Sequence, residues 1–105
     1  MPPGLEVNVT REAGVTTATV VGEVDLLSSV ALNRELEIAL EGDPEWLRLD
    51  LREVIFMDTS GVAVLIKARR RALEAGSRFS VKSASPAIQR LLEITGLASL
   101  LNEPS

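Results

Sequence analysis

The chain reads Phe56-Met57-Asp58-Thr59-Ser60-Gly61 at the point where an apolar loop, Val54 to Met57, meets the start of a helix. Asp58 is placed to cap that helix, so Thr59 and Ser60 are predicted to occupy its first two positions. The helix is predicted to end near Gly76, because apolar residues recur behind the motif at three- and four-residue spacing: Val62, Leu65, Ala68 and Ala72. Its first turns are apolar nearly all round and are expected to be deeply packed.

Upstream of this motif, alternating apolar residues predict three strands. Leu47, Leu49 and Leu51 alternate with Arg48, Asp50 and Arg52, which indicates a strand with one buried face and one partly wet face. Helices are therefore expected to cover mainly one side of the sheet. The segments Leu5 to Val9 and Val15 to Val21 are predicted to form an antiparallel hairpin around the turn Glu12-Ala13-Gly14.

Two more helices and a further strand complete the predicted order. Ser28 and Ser29 offer N-caps for a first helix that carries Leu32, Leu36, Ala39 and Leu40 and stops at Gly42 and Pro44. A short strand is predicted at Phe79 and Val81, and Ser85-Pro86 reads as a helix start with a hydroxyl cap. After Gly96, the residues Leu97, Leu100 and Leu101 are expected to pack a closing element on the core, followed by a polar tail at 102–105.

This order predicts an α/β fold with a mixed sheet of four to five strands. The chain of 105 residues has the length of a single domain, and we expect one domain over 1–105 with its core at about 5–101. The apolar residues are almost all aliphatic, which predicts a closely packed aliphatic core. The lone Trp46 is read either as a lid on the core edge, which we favour, or as an exposed anchor.

Composition excludes several functions. A net charge of −4 and a pI near 4.8 argue against direct nucleic-acid binding. The chain has no cysteine and no histidine, which removes disulfides, thiol chemistry, imidazole bases and the usual zinc ligand sets. No paired carboxylates at a convincing spacing and no phosphate-binding glycine loop stand out in the sequence, so we expect no enzyme, no cofactor and no metal. The segment 58–61 departs from the aspartic-protease motif, Asp-Thr/Ser-Gly, by one extra residue.

The chain is also expected to carry no membrane span. Its longest apolar run, Val62 to Ile66, is too short to cross a bilayer, and Met1-Pro2-Pro3-Gly4 does not begin a signal peptide. A cytoplasmic location is the simplest expectation.

Thr59 is the side chain at which a modification would act most directly. Backbone N–H groups at a helix N-terminus lack intrahelical partners, and the helix dipole favours negative charge there. A phosphate on Thr59 would therefore alter a surface without unfolding the domain, and would block a partner with an acidic or closely fitted face. From the residue types alone, Asp58-Thr59-Ser60 can also be no more than a helix cap and a first turn, without a regulatory role.

Two other charged segments have simple interpretations. Gly22-Glu23-Val24-Asp25 lies between the second strand and the first helix, either as a solvated turn or as a loop that brings acidic side chains to the sheet edge. Lys67, Arg69, Arg70 and Arg71 are expected to be a solvated helix face.

Three segments in this order resemble the STAS domain, and specifically the stand-alone bacterial anti-sigma factor antagonists. They are Gly22-Glu23-Val24-Asp25, the motif at 56–61, and Ser85-Pro86-Ala87-Ile88-Gln89-Arg90-Leu91-Leu92 with Thr95-Gly96-Leu97. The resemblance runs from about Leu5 to Leu101. It implies that the unphosphorylated chain binds an anti-sigma factor that is also a serine/threonine kinase, and so frees a sigma factor.

The resemblance also implies roles for single residues. Thr59 matches the position of the phosphate acceptor, Ser60 is the second candidate, and a phosphatase would reverse the modification. The family commonly has serine where this chain has Thr59, whose methyl group is expected to slow a kinase built around serine. Asp25 and Asp58 would lie near the acceptor, and Gly61 completes the predicted partner-binding set.

STAS domains serve other assemblies too, and two alternatives remain open. One is a soluble subunit of a membrane lipid-transport complex. The other is a small-molecule or nucleotide-binding module, because folds of this kind often hold ligands at strand ends.

Overall fold

The computed structural model describes residues 4–101, so the predicted polar tail at 102–105 and residues 1–3 lie outside the described part of the chain. Strands and helices follow one another in the predicted order, which confirms the α/β class. The elements are β1 Leu5–Glu12, β2 Val15–Val24, α1 Leu26–Ala39, β3 Trp46–Met57, α2 Thr59–Glu74, β4 Arg78–Ala84, α3 Pro86–Ile94 and a short 3-10 helix, Ala98–Leu101.

The described strands form one mixed sheet of four in the order β1-β2-β3-β4. β1 pairs antiparallel with β2, while β2 with β3 and β3 with β4 pair parallel. Ala13 and Gly14, with φ of 50° and 81°, make the tight turn between β1 and β2. The hairpin and the parallel crossovers are therefore as predicted.

The core lies between the sheet and the helices. α1 contacts β1 and β2, α2 contacts β3 and β4, and the two helices contact each other, so they share one face of the sheet. The large side chains at the centre are fully buried and aliphatic: Leu32, Leu36, Leu47, Leu49, Leu51 and Leu65. α3 adds Ile88 and Leu92 to the same cluster, and Leu100 closes it.

α1 begins earlier than the sequence predicted. The prediction of Ser28 and Ser29 as N-caps is wrong, because Asp25 caps the helix and both serines lie inside it. The Ser28 hydroxyl donates to the Asp25 carboxylate, and the Ser29 hydroxyl donates to the Leu26 carbonyl at 2.8 Å. Serines in the first turn of a helix can hydrogen-bond its backbone and its cap residue, so in the sequence they resemble N-caps although the cap itself lies about one turn earlier.

The segment Val54 to Met57 was expected as an apolar loop and is instead the last third of β3. Its pairing with β2 continues to Val24 opposite Met57, past two register shifts. β2 likewise runs to Val24, so no loop separates it from α1 and Asp25 alone connects the two. Both strands therefore deliver the chain directly into a helix.

Three local expectations also need correction. Ser85 stands at the N-cap of α3, yet its hydroxyl donates to the Val54 carbonyl at 2.7 Å instead of capping the helix. The first turns of α2 are not packed all round, because Ala63 and Ile66 face solvent. Trp46 is half-buried, but it is not among the side chains that pack on the core, so the favoured interpretation as a lid on the core edge is not borne out. The Arg48 and Arg78 guanidiniums lie 5.0 and 5.8 Å from the centroid of its ring, and its indole N–H donates to the Ser80 hydroxyl at 2.9 Å.

Candidate functional site

Two aspartates lie side by side at one edge of the sheet. Val24 and Met57 are paired across β2 and β3, and each is followed by the aspartate that caps the next helix. The Asp58 N–H donates to the Val24 carbonyl at 3.0 Å, and this hydrogen bond links the two strand-to-helix junctions. The N-termini of α1 and α2 consequently open on the same surface.

Asp58 holds the N-terminus of α2 through one carboxylate oxygen. Asp58 Oδ1 accepts the Ser60 N–H at 2.9 Å, the Gly61 N–H at 3.4 Å and the Ser60 hydroxyl. The hydrogen bond from the Ser60 side chain is the largest cause that holds the pKa of Asp58 below its usual value of 3.8. Asp58 therefore stays ionised at neutral pH while serving as a cap.

Asp25 forms a reciprocal cap on α1. Its Oδ1 accepts the Ser28 N–H at 2.9 Å, and the Ser28 hydroxyl accepts the Asp25 N–H at 2.9 Å. The Ser28 N–H is the largest cause that lowers the pKa of Asp25. The charge of Asp25 acts in the opposite sense on Asp58 and raises its pKa slightly within the net lowering, because the two carboxylates are close.

Thr59 and Ser60 differ in what their hydroxyls do. Thr59 is exposed at the first position of α2, and within residues 4–101 its hydroxyl makes no hydrogen bond to another group. Ser60 is half-buried and its hydroxyl is committed to Asp58. Of these two hydroxyls, that of Thr59 is the one presented to an incoming macromolecule.

Gly61 follows Thr59 by two residues and is packed on the ends of both strands. A Cβ at this position would stand 2.5 Å from Met57 Cγ and 2.8 Å from Val24 Cγ1, closer than carbon atoms approach without displacement. Glycine therefore lets α2 start directly against the sheet. Gly61 is buried, so in the predicted partner-binding set it supports the surface from below.

Large apolar side chains lie on both flanks of the two aspartates, and their exposure was not predicted from the sequence. Leu26, Leu27 and Val30 on α1 are 74 %, 75 % and 63 % exposed, and on the other flank Ile55 and Phe56 are 69 % and 51 % exposed. Leu26, Leu27 and Val30 fall off the helical stripe of Leu32 and Leu36, and that offset was the available signal. Exposed apolar residues clustered around polar groups are typical of a protein-binding surface.

The described residues offer no site of another kind that stands out. Between residues 4 and 101 no three acidic side chains are grouped so as to hold a metal ion. None of the helices in that range is long and apolar enough to cross a membrane. Shallow grooves flank the site, one between α1 and α2 and one between the end of β3 and α3.

Comparison with known proteins supports a relationship over nearly the whole chain. The family described as "Mlab, STAS domain" matches residues 7–102. The anti-sigma-B factor antagonist of Listeria monocytogenes is 32 % identical over 82 residues, which cover 78 % of this chain and 72 % of that protein. The anti-sigma-B factor antagonist of Bacillus subtilis is 26 % identical over 98 residues, 93 % of this chain and 89 % of the relative.

A solved structure agrees with these relatives. The crystal structure of an anti-sigma factor antagonist from Mycobacterium paratuberculosis superimposes with a TM-score of 0.82 at 27 % identity, and covers 92 % of this chain and 82 % of that one. All three proteins are named for antagonising another protein, a regulatory role in line with the expectation that this chain is not an enzyme. By its sequence and its fold, this chain belongs to the STAS domain family.

Proposed function

We propose that this protein is an anti-sigma factor antagonist that is switched by phosphorylation of Thr59. In its unphosphorylated form it binds an anti-sigma factor that is also a serine/threonine kinase, and the sigma factor held by that partner is released. The kinase transfers the γ-phosphoryl group of ATP to Thr59 Oγ1, with loss of the hydroxyl proton and release of ADP, and binding ends. A phosphatase restores the free hydroxyl, and the exchange takes place in the cytoplasm.

The exposed hydroxyl of Thr59 carries this proposal. It stands at the first position of α2 beside two ionised caps, Asp25 and Asp58, and is flanked by exposed apolar side chains. Because the Ser60 hydroxyl donates to Asp58, a kinase would have to break that hydrogen bond to use Ser60. The names of the relatives support the same class of function.

The release step follows from charge. Phosphorylation adds about −1.5 to −2 charges and three acceptor oxygens at pH 7. On Thr59 they would stand beside the carboxylates of Asp25 and Asp58, in the middle of a surface whose apolar flanks need close contact with a partner. A partner fitted to the neutral hydroxyl would meet both steric and electrostatic opposition.

The test is to incubate the purified protein with each kinase-type anti-sigma factor of its source and ATP, and to map phosphate by mass spectrometry. Wild type is compared with Thr59→Ala, Ser60→Ala and Thr59→Ser. We expect phosphate on residue 59 in wild type, Ser60→Ala and Thr59→Ser, and none in Thr59→Ala. Thr59→Ser should be modified faster, because the methyl group is gone.

Binding of the same proteins separates the remaining possibilities. We expect wild type and Thr59→Ala to bind the anti-sigma factor, and Thr59→Glu to bind it much more weakly. Tight binding without phosphate on either hydroxyl would mean a constitutive antagonist and would remove the switch from the proposal. Neither binding nor phosphate with any candidate would favour the transport-subunit alternative.

A further inference from the structure

We propose that the groove between α1 and α2 receives an acidic amphipathic helix of the anti-sigma factor, so that the partner contacts this chain well beyond Thr59. This inference rests on the proposed function and names a second contact region for the same partner.

The groove begins next to the helix caps. It encloses about 260 Å³ and is lined by Ser29, Val30, Asn33, Ala63, Val64 and Lys67. Leu26 and Leu27 precede Val30 by about one turn of α1, and their side chains are about three-quarters exposed. Apolar side chains left in water at this density are costly unless a partner covers them.

The exposed side of α2 connects this groove to the acceptor. Thr59 heads a solvent-facing stripe at alternating four- and three-residue spacing, which continues with Ala63, Ile66, Arg70 and Leu73. At 1.5 Å per residue, Thr59 and Arg70 are separated by about 16 Å along the helix axis. A partner helix of about three turns that lies along α2 would therefore span from the acceptor to Arg70.

The electrostatic character changes along the same path. The upper end carries Asp25 and Asp58. At the lower end the Arg71 guanidinium bonds Glu37 at 2.5 Å, and Arg71 and, less strongly, Lys67 lower the pKa of that carboxyl. Besides Arg71, Lys67 lines the groove and Arg70 lies on the exposed stripe of α2. This end of the groove is a local positive region.

These features define the chemistry of the occupant. Its apolar residues, at helical spacing, would pack on Leu26, Leu27, Val30 and Ile66. Its carboxylates, one to two turns further along, would reach Lys67 and Arg70. This is the way an amphipathic helix docks in a groove, with apolar anchors for affinity and charges that fix its direction.

The experiment uses the anti-sigma factor that binds wild type. Its dissociation constant is measured by calorimetry at low and high salt for Lys67→Glu/Arg70→Glu and for Val30→Asp. The matched control is Arg69→Glu/Lys82→Glu, which makes the same change in net charge at exposed positions outside the groove and the α2 stripe. We expect the groove variants to bind at least about tenfold more weakly, a loss of about 1.4 kcal/mol. The control should stay within about twofold, and the loss for Lys67→Glu/Arg70→Glu should shrink at high salt.

The outcomes separate this inference from the proposed function. If wild type binds and is phosphorylated while the groove variants bind as well as wild type, the groove is not a contact region and only this inference is overturned. An equal loss in groove and control variants would show a general charge effect and would overturn it too. If the chain alone is a dimer that Val30→Asp converts to a monomer, a second copy occupies the groove and this inference is overturned. No binding by wild type would overturn both proposals.

Discussion

Gly61 sets the distance between α2 and the end of the sheet, because a side chain there would collide with both flanking strands. The nearest atoms to an added Cβ belong to Met57 at the end of β3 and to Val24 at the end of β2. Val24 is fully buried and β-branched, so it has little freedom to move. The same closeness that requires glycine brings Asp25 and Asp58 together above it.

We predict that Gly61→Ala destabilises the protein by about 1–2 kcal/mol. Overpacking of this kind costs about 1–3 kcal/mol, and the gain in helix propensity offsets up to about 1 kcal/mol. Thermal unfolding should show a midpoint lowered by about 4–8 °C per kcal/mol in a domain of this size. In a Met57→Ala background the cost of the same substitution should fall, because Cγ and Sδ of Met57 are gone. An equal cost in both backgrounds would contradict the assigned collision.

At this scale the sequence predicted the start of α2 around Thr59, but not the cap of α1. The cap by Asp58 and the places of Thr59 and Ser60 follow from the chemistry of helix N-termini, and the structure agrees. The cap by Asp25 was missed, because Ser28 and Ser29 are equally good cap residues by type. Only the point at which β2 ends distinguishes the candidates, and that point depends on pairing with the distant strand β3.

Two helix N-termini open at the same end of the sheet because the parallel strands β2 and β3 run in the same direction and each leads directly into a helix. β2 and β3 end in register at Val24 and Met57, so their following caps are neighbours despite being 33 positions apart in the sequence. The pKa of each cap is lowered by the N–H or hydroxyl groups that it accepts. Each carboxylate is therefore stabilised by the groups that donate to it, while the charge of Asp25 opposes that of Asp58.

We predict that Asp25→Asn/Asp58→Asn reduces the loss in the free energy of unfolding that wild type shows as the pH falls below about 4. Each wild-type carboxyl has a native pKa below its ordinary value of 3.8, so the unfolded chain takes up protons first as pH falls. The stabilisation is present above about pH 4 and is lost as the pH falls through the lowered native values. Asparagine keeps the cap hydrogen bonds without titrating. Urea unfolding from pH 6 to pH 2 measures the difference.

The control for this measurement is Glu41→Gln/Asp43→Asn. It removes two charges from the exposed connection between α1 and β3, away from both caps, and asparagine tolerates the left-handed φ of 49° at position 43. The free energy of unfolding of this variant should fall with decreasing pH as steeply as that of wild type. If the free energy of the cap variant falls just as steeply, the lowered pKa values of Asp25 and Asp58 do not contribute to stability.

The order of elements was predictable, and their lengths and exposed faces were less so. The alternation of Leu47, Leu49 and Leu51 predicted β3. The alternation ends at Arg52, although β3 continues through register shifts and leaves Ile55 and Phe56 exposed to solvent. The apolar side chains at the rim of the site were missed for a related reason. Sequence patterns assign apolar residues to the core, whereas a binding surface keeps some of them outside.

For the whole molecule, the position of Thr59 separates the proposed regulation from stability. Thr59 is exposed at the start of a helix whose opposite face, at Leu65, is fully buried in the core. Charge added at Thr59 remains in water and meets the positive end of the helix dipole. Charge added at Leu65 would enter the aliphatic core without a partner. One helix thus carries a position that tolerates a phosphate and a position that does not.

We predict that phosphorylated protein and Thr59→Glu keep the wild-type fold while losing the partner. A negative charge at a helix N-terminus is favourable by about 0.3–1 kcal/mol, and repulsion from Asp25 and Asp58 opposes that gain. The midpoint of thermal unfolding should therefore shift by no more than about 8 °C in either direction, with an unchanged far-UV circular dichroism spectrum. Leu65→Glu, which buries the same charge, should unfold the domain. A large loss of helix signal on phosphorylation would show that the switch works by unfolding α2, and the surface mechanism would be wrong.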